Sequence, residues 1–219
     1  MASDGKRAPI CWIYGGGGFD PAFPYLPERN DLVIAADSGL KTVERLGLTS
    51  DLIVGDFDSL GRVPTGKNVV TLPVEKDVTD AAAAVAEGRA RGFARFFFVG
   101  CTGGRPDHTF AAYQLLADLA ARGEHGLLFG DGFTVTTIKD GSLAFPARDG
   151  GTLSVFAVGG DARDVTISGV YYPLVGTTLS PTFPLGVSNS FVGKPVSVRV
   201  GDGTLLVFAE GYPLPAFGK

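Results

Sequence analysis

The sequence predicts an α/β N-terminal domain with a mainly parallel sheet, followed by an all-β sandwich domain. Through the first half, short apolar runs alternate with helical patterns, as a parallel sheet flanked by helices requires. Past Gly126 the segments become short, rich in Val, Phe and Thr, and divided by Gly, Asp or Pro, with no helical pattern between them. In addition, three acidic motifs of the first half fall at strand ends or helix starts, where open α/β sheets gather ligand-binding groups.

Residues 10–14, 32–36, 52–54, 69–72 and 96–99 are the expected strands of the first half, and 40–46, 79–91 and 107–122 its helices. The 81–86 stretch is rich in alanine, the best helix former, and Thr79 or Asp77 offers an N-cap. In the second half, 133–138, 153–158, 165–167, 196–200 and 205–209 read as antiparallel strands of a sandwich or flattened barrel. The expected division is 1–125, an α/β domain that carries the acidic motifs, and 126–219, a β-sandwich. Residues 127–129 can close the first sheet or open the second, and His125 is expected in a polar turn between them.

At 219 residues the chain can bury a sizeable core. With 45% hydrophobic and 19% charged residues it reads as folded and soluble, and the 32 glycines, dispersed singly or in short clusters, mark many tight turns. A formal net charge of -4 with no long basic run argues against nucleic acid as a partner. The polar N-terminus lacks an apolar leader, and no apolar run approaches the ~20 residues that span a bilayer, so no membrane partner and a cytoplasmic location are expected. Cys11 and Cys101 sit in strand-like runs and read as reduced, buried thiols.

The first acidic motif is Gly55-Asp56-Phe57-Asp58-Ser59. In an extended segment, residues two apart share a face at ~6.6 Å, so Asp56 and Asp58 can present two carboxylates to one site. That suits Mg²⁺, which is usually held by one or two carboxylates plus substrate phosphates; a polar turn closing a strand is the plain alternative. The second is Lys76-Asp77-Val78-Thr79-Asp80, whose carboxylates lie three apart at a helix start. One of them suffices to favour the helix dipole, which leaves a surplus of charge and makes Asp80 the stronger functional candidate. The third is Gly103-Gly104-Arg105-Pro106-Asp107-His108. Its glycines admit a close ligand and its guanidinium can grip phosphate oxygens, while Asp107 can cap the helix, orient Arg105 or bind metal.

Two further signals are decoys. The 61–68 segment has near Walker A spacing, but Asn68 stands where a hydroxyl is needed and a strand follows. After the first strand, Gly15 to Gly18 are followed by Phe19, Pro21, Pro24 and Pro27, which prevent a regular helix; a bare loop near a nucleotide or a tight turn both fit. In the second half, the 169–174 and 186–191 segments stand out; their aromatics and Ser-Asn pair can form a flat, hydrogen-bonding pocket for a small heterocycle, while read in isolation they are core aromatics and a turn.

In this order, Asp37-Ser38-Gly39, the three acidic motifs, the 169–174 segment and Ser188-Asn189 resemble those of thiamine pyrophosphokinases, over roughly residues 10–209. The resemblance implies Mg²⁺-dependent transfer of pyrophosphate from ATP, as co-substrate, to the hydroxyl of thiamine, giving thiamine diphosphate and AMP. It implies that Asp56, Asp58 and Asp80 are catalytic and hold Mg²⁺; such a transfer needs no strong base, and Asp80 and Asp58 are the candidates to accept the hydroxyl proton late in the reaction. It places Asp37, Asp77, Thr79, Arg105 and Asp107 around ATP, and Ser188 and Asn189 at thiamine. It also implies a homodimer with thiamine sites between subunits, the second domain binding thiamine and dimerising. Animal members place a tryptophan by thiamine; here the only tryptophan, Trp12, is in a predicted strand, leaving Tyr171 or Phe183 as stacking candidates. A related pyrophosphokinase acting on another alcohol, such as a hydroxymethylpterin, and a non-catalytic nucleotide- or thiamine-binding module are the competing readings.

Overall fold

A computed structural model of the chain describes residues 7–20, 22–57, 68–72 and 78–218; Asp58, Lys76, Asp77 and most of the Walker-like segment lie outside the described residues. Strands β1 (Cys11–Tyr14), β2 (Leu32–Ala36), β3 (Leu52–Gly55), β4 (Val69–Thr71) and β5 (Arg95–Val99) run parallel in the order β5-β1-β2-β3-β4. β1 is buried on both faces, which is why it reads as an unbroken apolar run. Its side chains alternate: Cys11 and Ile13 enter the core beneath helices α2 (Asp80–Ala90) and α3 (Pro106–Ala121), while Trp12 and Tyr14 enter the core on the face of α1 (Gly39–Arg45).

Helices α2 and α3 each have a local reason to begin. Thr79 caps α2 by accepting a hydrogen bond from Ala82 N at 3.2 Å. Pro106 occupies the first turn of α3, where no amide donor is missed. Across the far ends of these helices, Arg89 on α2 bonds Glu124 at 2.6 Å and Asp118 on α3 at 3.2 Å.

A buried carboxylate secures the edge of the sheet opposite the strand C-termini. The Asp31 side chain, 1% exposed, accepts from Arg7 at 2.9 and 2.6 Å, and from Ile10 N, Glu28 N and Trp12 Nε1 at 2.9 Å each. Burial alone would raise its pKa; the donors from Arg7, Glu28, Ile10 and Trp12 together hold it below the usual carboxylate range. Trp12 is therefore a core side chain with a satisfied indole.

The main sheet does not stop at the change in composition. β6 (His125–Gly130) lies parallel to β5 and antiparallel to β7 (Phe133–Lys139), so residues 127–129 both close the parallel sheet and open the antiparallel one. Through β14 (Thr204–Glu210), β9 (Asp149–Ala157) and β12 (Asn189–Val192), ten strands form one sheet. A second sheet of five, β11-β10-β13-β8-β15, packs on its antiparallel end. Its members are β8 (Ser142–Phe145), β10 (Ala162–Ser168), β11 (Leu174–Leu179), β13 (Val196–Arg199) and β15 (Ala216–Gly218). β14 serves two cores: Leu205, Val207 and Ala209 face the sandwich interior, and Leu206 and Phe208 face the core containing α3.

Three expectations are corrected. His125 begins β6 and packs on Phe217, ring centroids 4.5 Å apart, rather than lying in a turn. Tyr171 and Tyr172 are not core aromatics: each is 64% exposed. Finally, β8, β11, β12 and β15 are strands without a strong signal. Three have only three or four residues, and β11 is a largely exposed edge containing Gly176, so little apolar alternation is needed to hold them.

Candidate functional site

The parallel strands bring their C-terminal ends to one edge, and the chain leaves β1 and β5 in opposite directions along the sheet. That is the switch point at which open α/β sheets form a crevice. The loops after these two strands lock together, Gly15 N bonding Val99 O at 2.8 Å, Gly17 N bonding Gly100 O at 2.7 Å and Gly18 N bonding Thr102 O at 2.7 Å. The approach needs glycine: a Cβ on Gly17 would overlap Thr102 O.

Above this seam lies a cavity of about 850 Å³, within the range of small-molecule sites. Asp37, Asp56, Thr79, Asp80 and Arg105 all line it. Asp37 follows β2 and Asp56 follows β3, while Thr79 and Asp80 open α2 and Arg105 precedes α3. The Walker-like segment is followed by β4, a strand, as expected.

Two residues beside the cavity have backbone conformations that side chains disfavour. Asp37 has φ 47° and Phe57 has φ 64°. For a bulky residue the latter is a true outlier, retained where surrounding structure enforces it, and the Phe57 ring is buried. The chain is thus not extended at residue 57, which corrects the geometric reason for expecting Asp56 and Asp58 on one face.

Asp107 does not line the cavity. It grips Arg105 at its rim, with Arg105 Nε to Asp107 Oδ1 at 3.2 Å and NH2 to Oδ2 at 2.6 Å. The guanidinium holds the Asp107 carboxyl down at about 2, and both side chains are exposed. Of the three roles open to Asp107 in the sequence, the observed one is to orient Arg105.

Ser188 and Asn189 lie at the start of β12, away from this cavity. Asn189 is buried; its Oδ1 accepts from Tyr172 N at 2.9 Å and its Nδ2 donates to Tyr172 O at 2.6 Å, pinning the Tyr171–Tyr172 turn. Ser188 has φ 58° and its N–H donates to Ser154 Oγ at 3.0 Å. Tyr172, bonded to Asn189, is exposed together with Tyr171, whose ring packs on it, and Val175, Phe183 and Leu185 of the same half are exposed as well.

Sequence reasoning assigned no role to Ser38, Thr102, His108 or Thr109, which also line the cavity. Ser38 carried a usable signal, a hydroxyl directly after a strand-end Asp; Thr102 sits in a loop whose path only the fold defines.

The electrostatics pull in two directions. The N-termini of α2 and α3, the glycine amides and Arg105 favour an anion. The carboxylates of Asp37, Asp56 and Asp80 oppose one unless a cation lies between. Cys101 also lines the cavity, but burial pushes its thiol up to about 12, so it is protonated at neutral pH and poor as a ligand or nucleophile. Apart from the His108 imidazole, the remaining side-chain ligand atoms, on Asp37, Ser38, Asp56, Thr79, Asp80, Thr102 and Thr109, are hard oxygens, which fit a divalent cation of the Mg²⁺ type. Among the described residues no cluster of three or more His, Cys, Asp or Glu could hold a metal unaided.

Fold and site define a class: an α/β crevice lined by carboxylates, glycine loops and helix N-termini, whose sheet continues into a β-sandwich. Two family models match the sequence, the catalytic domain of thiamin pyrophosphokinase over residues 23–125 and its vitamin B1 binding domain over 141–205. The chain belongs to the thiamin pyrophosphokinase family. Its fold is similar to that of thiamine pyrophosphokinase from Bacillus subtilis (TM-score 0.80, 21% identity, covering 93% of this chain and 99% of that one). The enzyme from Geobacillus thermodenitrificans is similar at a TM-score of 0.77 and 23% identity, covering 93% of this chain and 98% of that one. That from Candida albicans reaches 0.74 at 12% identity, covering 92% and 90%. No curated protein matches the sequence.

Proposed function

We propose that this chain transfers the pyrophosphoryl group of ATP to the hydroxyl of thiamine, releasing AMP. The observation that carries this reading is the convergence of Asp37, Asp56, Thr79, Asp80 and Arg105 on one cavity between glycine loops and helix N-termini. Family membership supports the class of reaction.

In the proposed reaction the thiamine hydroxyl oxygen bonds to the β-phosphorus of ATP. The bond from that phosphorus to the α,β-bridging oxygen breaks, AMP departs, and the hydroxyl proton passes to Asp80 or Asp58. Protein groups in such transfers mainly align donor and acceptor and balance charge. Asp56, Asp58 and Asp80 would hold Mg²⁺, which when bound neutralises phosphate charge. Arg105, steadied by Asp107, binds phosphate oxygens, and Asp37, Asp77 and Thr79 complete the ATP pocket.

Residues 1–125 act as the nucleotide- and metal-binding catalytic domain, and 126–219 as the thiamine-binding and dimerisation domain. The exposure of Tyr171, Tyr172 and Phe183, in the same half as Ser188 and Asn189, supports a homodimer with thiamine bound between subunits. A cytoplasmic location agrees with the finding that no helix among the described residues is long and apolar enough to cross a membrane.

A phosphorus NMR time course with ATP and Mg²⁺, with and without thiamine, tests the reading. Thiamine-dependent AMP and thiamine diphosphate in equal amounts are expected. ADP with thiamine monophosphate would overturn the β-phosphorus attack. ATP consumed only with another alcohol would replace the acceptor, and binding without turnover would replace the enzyme reading.

A further inference from the structure

The crevice is braced from the far end of the chain. Tyr212 follows β14, the strand shared by both cores, yet its hydroxyl donates to Asp20 Oδ2 at 2.5 Å, 192 residues away. Asp20 lies two residues past Gly18, and its other oxygen accepts from Ala22 N at 2.8 Å. Tyr25 OH donates to Tyr212 O at 2.6 Å, and the Tyr212 ring packs edge-on to Phe23 at 5.4 Å. One residue earlier, Gly211 N bonds Gly132 O at 2.6 Å in the β6–β7 turn.

These bonds clamp both neighbours of the loop after β5. Gly103 of that loop sits between Gly18 and Asp131, where a Cβ would lie 3.3 Å from Gly18 Cα and 3.0 Å from Asp131 Oδ1. Asp20, two residues past Gly18, and Gly132, next to Asp131, are the residues bonded to 212 and 211. Burial, and then the bond to Asp20, push the Tyr212 hydroxyl up to about 12, so it remains a donor at neutral pH.

The geometry points to Tyr212 as a positioning residue for the nucleotide: through Asp20 its hydroxyl holds the β1 loop, beside the Gly211–Gly132 bond that holds the β6 loop, against the glycine loop that receives ATP phosphates. This rests on the proposed function. Tyr212 touches no lining residue's reacting group, so its loss acts on the shape of the phosphate rim and leaves the acceptor site alone.

The test compares wild type with Tyr212→Phe, which keeps the ring and removes only the hydroxyl, with Asp20→Asn and with the double variant. Calorimetric titration with Mg²⁺ and ATP in the absence of thiamine is read beside steady-state kinetics. Tyr212→Phe should weaken ATP binding and raise the KM for ATP about fivefold to tenfold, the scale of one ordinary hydrogen bond and so only part of what a bond to a charged acceptor is worth, because the loss reaches the nucleotide through the loop. The kcat and the KM for thiamine should stay within about twofold, and the double variant should be no worse than the worse single. Amide hydrogen exchange at Gly17 and Gly18 should quicken in Tyr212→Phe. Unchanged ATP affinity and exchange in the variants, with ATP binding intact in the wild type, would overturn this inference while leaving the proposed function standing. Equal losses for ATP and thiamine with a lowered Tm would reduce Tyr212 to a structural role. Wild-type protein that binds no ATP would remove the proposed function and this inference with it.

Discussion

In the α/β half, Asp37, Asp56, Thr79, Asp80 and Arg105 stand just past strand ends or at helix starts and line one cavity. In the β half, the polar residues singled out in the sequence are tied into the frame: the Asn189 side chain bonds the Tyr172 backbone, and the Ser188 N–H donates to Ser154 Oγ. The difference follows from architecture. A parallel sheet completes its ladder within the strands and leaves the loops at its C-terminal edge for ligands. A sandwich of short strands must use side chains to hold its turns, so a polar residue there supports the frame and reaches a ligand only through it.

The comparison is tested most severely by Asp58→Asn and Asp80→Asn. Each should lower kcat at least ~10²-fold at saturating Mg²⁺, the order for removing one electrostatic stabiliser of a transition state. Near-normal turnover in either variant would take that residue out of the assignment. Asp31→Ala should have no such catalytic signature. It should instead destabilise the protein by about 3 kcal/mol in urea unfolding, because Arg7, Trp12 Nε1 and two backbone amides lose their acceptor. A loss below about 1 kcal/mol would mean that water replaces it.

Asn189→Ala probes the β half. Loss of the Tyr172 bonds should cost about 1–2 kcal/mol and raise the KM for thiamine while leaving ATP binding unchanged. A changed ATP affinity would break the division of labour drawn here. The smallest effect concerns Asp107. Its folded pKa is depressed to about 2 by Arg105, so the pair's contribution is complete above the ordinary value of ~3.9 and is lost as pH falls toward 2. In Arg105→Gln, carboxyl titration by NMR should return Asp107 to near that ordinary value.

Strands β1 to β5 and all three helices were legible, because buried parallel strands and alanine-rich or capped helices write their character into consecutive residues. Four short or edge strands of the β half were not, since their pairing partners supply what their own side chains lack. At the site, the carboxylates and Arg105 could be named from motif chemistry. The left-handed turn at Phe57, the rim position of Asp107 and the pinning role of Asn189 could not, because each depends on a neighbour distant in space or on a backbone angle.

The sequence by itself determined the α/β-then-β order, the acidic and glycine-rich positions and the family, all of which reside in local pattern and motif order. Only the tertiary structure decided that one sheet runs through both halves, that residues from five separate segments share a cavity, and that Tyr212 reaches back to Asp20. Those are contacts between residues far apart in the chain. They arise from burying strand faces against one another, a constraint that no short window of sequence contains.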